Sequence, residues 1–175
     1  NTNTLRNLSE QQLMDCSRRY GNLACNGGLM DNAFQYAINN GICSYDEVEY
    51  EAKSEMCSKL DKNCNKIAYF EDCYDIPANN EQALKEAVFK RPVSVSIEAD
   101  TKVFQFYNNG IIDNDNCGTQ LDHGVLLVGY GIEDDKKYWI IKNSWGKEWG
   151  EDGYVRLLRT DDSNTEGICG IAKDA

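Results

Sequence analysis

His123 is the only histidine in the chain, and twenty residues later Asn143 opens the string Asn143-Ser144-Trp145-Gly146. Between them lie the apolar run Gly124-Val125-Leu126-Leu127-Val128-Gly129-Tyr130, the polar turn Glu133-Asp134-Asp135-Lys136 and the returning run Tyr138-Trp139-Ile140-Ile141. That pattern predicts a β-hairpin. Folded about Glu133, it pairs positions whose numbers total 266, which sets His123 opposite Asn143. Residues directly opposed on a ladder have Cβ atoms ~5 Å apart, within reach of an imidazole–carboxamide hydrogen bond. A histidine oriented by a neutral amide, with a tryptophan beside it, supplies the base and the orienting group of a nucleophile–base–orienter triad. None of the eight cysteines sits in a nucleophile setting.

The elements that must position this pair follow from periodicity. Ser9-Glu10-Gln11-Gln12 has the capping-box pattern and starts a short helix through Cys16. Leu29, Met30, Ala33, Phe34, Ala37 and Ile38 recur at helical spacing, with Gly41 as a stop. Residues 43–73 read as polar, cysteine-rich and irregular. Glu81 to Lys90 forms a further helix, with Leu84 and Val88 on one face and Pro92 beyond its end. Val93 to Ile97, the hairpin, and Gly153 to Leu157 read as strands. Helices first and strands later describe an α+β chain, divided into residues 1–74 and 75–175 where composition changes near Asp72 to Pro77.

The net charge of −11 and pI near 4.5 have the wrong sign for nucleic acid or an anionic membrane surface. No apolar run approaches the ~20 residues of a membrane span. Asn1-Thr2-Asn3-Thr4 lacks the basic and apolar regions of a signal peptide, as expected of a mature or truncated chain. Eight cysteines at scattered spacings point to an oxidising compartment and structural disulfides. Cys57, Cys64 and Cys73 include no Cys-x-x-Cys pair, so no metal site is expected, and no cofactor either. Asn7-Leu8-Ser9 matches the N-glycosylation pattern, although Ser9 also suits a helix cap.

Several strings together resemble the papain family of cysteine proteases, nearest its cathepsin L-like branch. They are Leu8 through Cys16, Cys25-Asn26-Gly27-Gly28-Leu29-Met30, Leu121-Asp122-His123-Gly124, Lys142 through Gly146, Trp149 through Tyr154, and Gly167-Ile168-Cys169-Gly170-Ile171. They occur in the family's order along the whole chain. The resemblance implies a two-lobed papain-like fold, a helical lobe plus an antiparallel β-barrel lobe, with a cleft between them. It implies cysteine-dependent peptide-bond cleavage, with His123 as general base, Asn143 orienting it and Trp145 shielding their bond. The family's nucleophile lies in a Cys-Gly-Ser-Cys-Trp string upstream of everything here, so the central nucleophile helix and roughly forty residues are expected to be missing. A chain cut there would leave apolar surface uncovered and be prone to aggregate.

The resemblance also implies a substrate cleft. Gly27 and Gly28 correspond to glycines that pair with the substrate backbone. Leu29, Met30, Ser96, Leu121, Gly124 and Asp174 fall on positions lining the pocket for the P2 side chain, with Asp122 beside them. A hydrophobic P2 residue is expected, and Asp174 at the pocket floor adds a capacity for Arg. Disulfides Cys16–Cys57 and Cys117–Cys169 are implied, Cys43–Cys64 is the first choice for an additional pair, and Cys25 corresponds to a disulfide half whose partner lies upstream. Val48-Glu49-Tyr50 stands where Tyr-Pro-Tyr is common, and Ser96 where an apolar residue is usual. Expected partners are peptide or protein substrates, cystatin-type inhibitors and the enzyme's own propeptide. The expected setting is lysosomal, vacuolar or secreted, and the complete enzyme a monomer. The alternative is an inactive pseudoprotease that binds peptides or inhibitors.

Overall fold

The computed structural model describes residues 4–60 and 64–175. Asn1 to Asn3, which bear on the leader pattern, lie outside the described residues. The chain divides into two compact units, Asn1–Tyr74 and Asp75–Ala175.

In the first unit, α1 (Glu10–Cys16) begins at Ser9, whose side chain accepts from the Gln12 N–H at 3.0 Å. Only half of the expected capping box forms. Gln12 does not reach back to Ser9. Its Nε2 donates to Tyr36 Oη (2.7 Å) and to the Gly41 carbonyl (3.1 Å), and its Oε1 accepts from Cys43 N–H at 2.7 Å. The Ser9 N–H is taken instead by the Cys43 carbonyl at 3.0 Å. Gln11 and Asp15, also buried, bind the loop beyond: Gln11 Oε1 accepts from Glu51 N–H and Asp15 Oδ1 from Glu55 N–H. A short polar helix therefore holds residues 41–55 in place through side chain–backbone bonds, which buried backbone groups require.

α2 (Met30–Asn40) ends at Gly41, whose φ of +70° continues the chain without a Cβ penalty. Its most buried residues are Tyr36 and Ala37, which pack with Cys16 and Ile42. The stretch expected to be irregular contains β1 (Ile42–Cys43), α3 (Cys57–Leu60) and β2 (Lys66–Ala68), with β1 and β2 paired antiparallel. Disulfides join Cys16 to Cys57 and Cys43 to Cys64. Cys25 and Cys73 have no disulfide partner among the described residues. At the Val48-Glu49-Tyr50 departure, Val48 is buried and its carbonyl accepts from Ser9 Oγ at 2.8 Å, while Tyr50 is exposed.

The second unit opens with α4 (Glu81–Lys90), capped by Asn80, whose Oδ1 accepts from Ala83 N–H at 2.9 Å. Leu84 and Val88 face its core, and so does Glu81, one turn before Leu84. Glu81 is fully buried. Its carboxylate accepts from Trp139 Nε1 (3.0 Å), Thr160 N–H (2.6 Å) and Asp161 N–H (2.9 Å), which offsets the desolvation of the charge.

The sheet contains β3 (Val93–Ile97), β4 (Ile111–Ile112), β5 (His123–Glu133), β6 (Lys136–Lys142) and β7 (Tyr154–Leu158), in the order β3-β5-β6-β7-β4. Every join is antiparallel except β4–β7, which is parallel, and β3 and β4 stand at the two ends of the order. Val95, Ile97, Leu127, Trp139, Ile141, Val155 and Leu157 point inward and are almost wholly inaccessible. The four-residue α5 (Lys102–Gln105) adds Phe104 to this core. Cys117 is joined to Cys169. Among the described residues, no helix is long and apolar enough to cross a membrane, and no group of three or more His, Cys, Asp or Glu side chains could hold a metal ion.

Candidate active site

β5 begins at His123, which pairs with Ile97 of β3; β6 ends at Lys142, immediately before Asn143. The β5–β6 register differs from the expected one. The turn is centred on Asp134 and Asp135, both in the left-handed region with φ of 47° and 64°, so Glu133 pairs with Lys136 and the paired numbers total 269. A shift between Leu127 and Gly129 reduces the total to 268, and the ladder ends at Leu126–Lys142. His123 and Asn143 therefore are not a ladder pair. Both nevertheless lie on the sheet face that buries Val125, Leu127, Trp139 and Ile141, because an even displacement leaves side-chain parity unchanged.

Their side chains meet. His123 Nε2 lies 2.8 Å from Asn143 Oδ1. The same oxygen accepts from Ser144 N–H at 2.8 Å, which fixes the orientation of the carboxamide. A carboxamide oxygen only accepts, so the imidazole presents Nε2–H to it and leaves Nδ1 with a lone pair. Asn143 is 7% exposed. Its backbone N–H is held by the Gly153 carbonyl at 3.0 Å, while its Nδ2 has no partner among the described residues.

Trp145 packs on the imidazole, with ring centroids 5.2 Å apart. It is held from behind by Phe104 at 5.5 Å and Trp149 at 5.3 Å, both near-perpendicular edge contacts. Trp149 is fixed in turn by its Nε1 donating to the Gln105 carbonyl at 3.1 Å and by stacking near Tyr107. Phe104 and Tyr107 join this arrangement without a signal in the sequence, because four residues of helix have no readable period. Below the aromatic group, Glu151 takes two 2.8 Å bonds from Arg156, and its Oε1 also accepts from Gly110 N–H. Burial pushes the Glu151 carboxyl up, but the Arg156 and Gly110 donors outweigh it and hold the group below its ordinary value. Burial pushes the Tyr107 phenol up to about 12.

The other expected residues of this unit lie along the β3–β5 edge. Ser96 pairs with Gly124 on the ladder. Ser96 Oγ donates to Asp174 Oδ2 at 2.6 Å, and Ser96 N–H donates to the Asp174 carbonyl at 3.0 Å. Asp174 is thus anchored to β3, although its side chain is exposed. The Asp122 carboxylate is occupied by the N–H groups of Ala99 (2.7 Å) and Asp100 (3.1 Å), which ties the residue before His123 to the chain just beyond β3. Leu121 is half-buried against Gly170, where an added Cβ would sit 2.9 Å from it.

In the first unit, Gly27 has φ +96° and open space where a side chain would stand. A Cβ on Gly28 would lie 2.4 Å from Asn22 Oδ1, which accepts from Leu29 N–H at 2.8 Å. The Gly28 N–H has no partner among the described residues. Leu29 is 63% exposed, and Met30 opens α2.

A family model described as papain family cysteine protease matches residues 1–175. Among curated proteins, the chain is 48% identical over 172 residues to Cysteine proteinase RD21A of Arabidopsis thaliana, covering 98% of this chain and 36% of that protein. It is 49% identical over 175 residues to Thiol protease SEN102 of Hemerocallis, covering 99% of this chain and 48% of that one. The chain thus spans about half or less of the length of these relatives. Among solved structures, the bromelain protease from Ananas comosus in complex with the E64 inhibitor superposes with a TM-score of 0.90 at 40% identity, covering 99% of this chain and 78% of that one. The Amb a 11 cysteine protease, a ragweed pollen allergen, in its proform gives 0.90 at 39% identity, covering 99% and 51%. With its fold and the whole of its length matched, this chain belongs to the papain family of cysteine proteases.

Proposed function

We propose that this chain supplies the histidine–asparagine half of a cysteine endopeptidase of cathepsin L-like type, whose thiol comes from a cysteine outside residues 1–175. The observation that carries this reading is the 2.8 Å contact from His123 Nε2 to Asn143 Oδ1, with the carboxamide oriented by Ser144 N–H. Nε2–H is committed to Asn143, so Nδ1 is the atom that takes the thiol proton. The thiolate then attacks the peptide carbonyl, and the Nδ1–H of the imidazolium protonates the departing amine. A water deprotonated by Nδ1 hydrolyses the acyl-enzyme, and the proton returns to sulfur. Nε2–H keeps the same acceptor throughout. A neutral amide suits both charge states because it accepts from imidazole and imidazolium alike. Trp145 keeps water from that bond, which strengthens it.

Gly27 and Gly28 are assigned to pairing with the substrate backbone, a role that fits the free N–H of Gly28. Leu29, Met30, Leu121 and Gly124 are assigned to an apolar P2 pocket, and the Ser96-anchored carboxylate of Asp174 to its acceptance of Arg. A propeptide and cystatin-type inhibitors are the proposed partners, and a lysosomal, vacuolar or extracellular setting the proposed location.

The test is titration of the complete protein with E64, together with hydrolysis of peptide substrates by the wild type and by His123→Ala. Stoichiometric loss of activity with E64, and no turnover by the variant, is the expected result. A complete chain that neither hydrolyses peptides nor reacts with E64 would establish the inactive, peptide-binding alternative.

A further inference from the structure

We propose that Asn7 carries an N-linked oligosaccharide, added before the first helix of the protein folds. Asn7-Leu8-Ser9 is the one Asn-x-Ser/Thr sequence in the chain with a residue other than proline in the middle. A sequon alone says little, but the structure adds three observations that bear on it independently.

The first is geometry at the acceptor. The Asn7 carbonyl accepts from Tyr45 N–H at 2.9 Å, Leu8 pairs across with Ser44, and Ser9 N–H donates to the Cys43 carbonyl. The backbone is thereby pinned by an isolated antiparallel bridge, while the Asn7 side chain is exposed and its carboxamide has no hydrogen-bond partner among the described residues. Its flanking residues Leu5 and Arg6 are exposed too. The second is redox setting. Three disulfides, one of them made by Cys43, two residues from the Tyr45 that holds Asn7, fit passage through the oxidising compartment where such sugars are attached.

The third fixes the order of events. The hydroxyl of Ser9 is what marks the sequon for the transferase, yet here Ser9 is 1% exposed. Its Oγ donates to the Val48 carbonyl at 2.8 Å and accepts from Gln12 N–H at 3.0 Å. One hydroxyl serves two purposes in sequence: recognition in the extended chain, then helix capping. Once the cap has closed, the acceptor can no longer be read.

In the transfer, the carboxamide nitrogen of Asn7 attacks C1 of an oligosaccharide carried on a lipid diphosphate. The Nδ2–C1 bond forms, the C1–O bond to the diphosphate breaks, the lipid diphosphate leaves, and the nitrogen gives up one proton.

The experiment uses the protein isolated from the tissue that makes it, reduced, alkylated and digested with trypsin. Cleavage after Arg6 and Arg18 yields a peptide that begins at Asn7. The expected result is recovery of that peptide chiefly in glycosylated form, converted by a glycan-releasing amidase to a peptide with aspartate at position 7. Recovery chiefly as the unmodified peptide overturns the proposal. For order, the deglycosylation-naive protein made in bacteria is offered to a transferase extract both folded and after reduction and unfolding. Labelling of the unfolded chain only is expected; equal labelling of both overturns the stated sequence of events. In eukaryotic secretion, Asn7→Gln should lose the sugar and Ser9→Thr should keep it, with Tm unchanged for Ser9→Thr. A Ser9→Thr chain that folds and is secreted without sugar would also count against the proposal.

Discussion

Replacing Asn143 by alanine separates the role proposed for this residue in the reaction from what it does for the fold. The carboxamide oxygen accepts from His123 Nε2 at 2.8 Å in a position 7% exposed, and Ser144 N–H, its other donor, belongs to an exposed residue. When the imidazolium forms, that bond is charge-assisted, and such bonds contribute about 1.5–3 kcal/mol. At ~1.4 kcal/mol per decade, its loss lowers kcat/KM by about 10- to 150-fold, with the effect in kcat because the bond holds the base and not the substrate. Stability should respond differently. Asn143 Nδ2 is buried with no partner among the described residues, and an orphaned donor costs about 1–3 kcal/mol. Alanine removes that penalty together with the bond to His123, so the two changes nearly cancel and Tm moves by no more than about 3 °C. The assay is steady-state hydrolysis of a peptide substrate by the complete enzyme, normalised by E64 titration, beside a thermal melt. An N143A enzyme with kcat/KM within twofold of the wild type, or one that melts far lower while its active fraction turns over normally, refutes the reasoning.

Glu81→Ala leaves Trp139 Nε1 and two backbone N–H groups without their acceptor in a fully buried site, which costs ~3–5 kcal/mol and a Tm drop of about 6–20 °C; a drop below 2 °C in a calorimetric melt would mean that those donors find other acceptors. The folded carboxyl of Glu151 lies below its ordinary value of 4.5, so its stabilising effect is complete above that pH and is lost as pH falls through the lowered value. Glu151→Gln should therefore lower Tm at pH 6 and flatten the further decline below pH 4.5; parallel wild-type and variant curves over that range would contradict the linkage. Asp174→Asn should cut hydrolysis of benzyloxycarbonyl-Arg-Arg substrates at least tenfold at pH 6 and change benzyloxycarbonyl-Phe-Arg hydrolysis less than twofold, since a hydrogen bond to a charged group is worth about 1.5–3 kcal/mol. A wild-type enzyme inactive on the Arg-Arg substrate would remove Asp174 from the P2 pocket.

Much of this was legible in the sequence because side-chain period is more robust than register. The hairpin tip is Asp134–Asp135, not Glu133, and the Leu127/Gly129 shift leaves no mark in an apolar run. The tip displaces the register by three and the shift takes back one, so His123 and Asn143 still share a face. Glu81 was hidden for the opposite reason. Its charge and its place in a first helical turn read as surface, yet it stands three residues before Leu84 on the very face that Leu84 and Val88 bury. That spacing was the available signal. Gln12 shows where a local motif yields to a distant one: Tyr36, Gly41 and Cys43 compete for its amide and displace the bond back to Ser9. β4 and α5, two and four residues long, are set by what β7 and the aromatic group around Trp149 offer them, which no local pattern records.

The Cys117–Cys169 bond encloses a 52-residue loop that contains His123, Asn143, Trp145 and the whole hairpin between them. Under the function proposed above, the protein would work among proteases, its own copies included. Its hairpin tip, with exposed Asp134, Asp135, Lys136 and Lys137, is the sort of place where a chain is nicked. A single cut there would divide the polypeptide but not the molecule, because the two pieces stay tied at the ring and aligned by the β5–β6 ladder. Wear of this kind would show as two bands only after reduction, from a preparation that still turns over substrate.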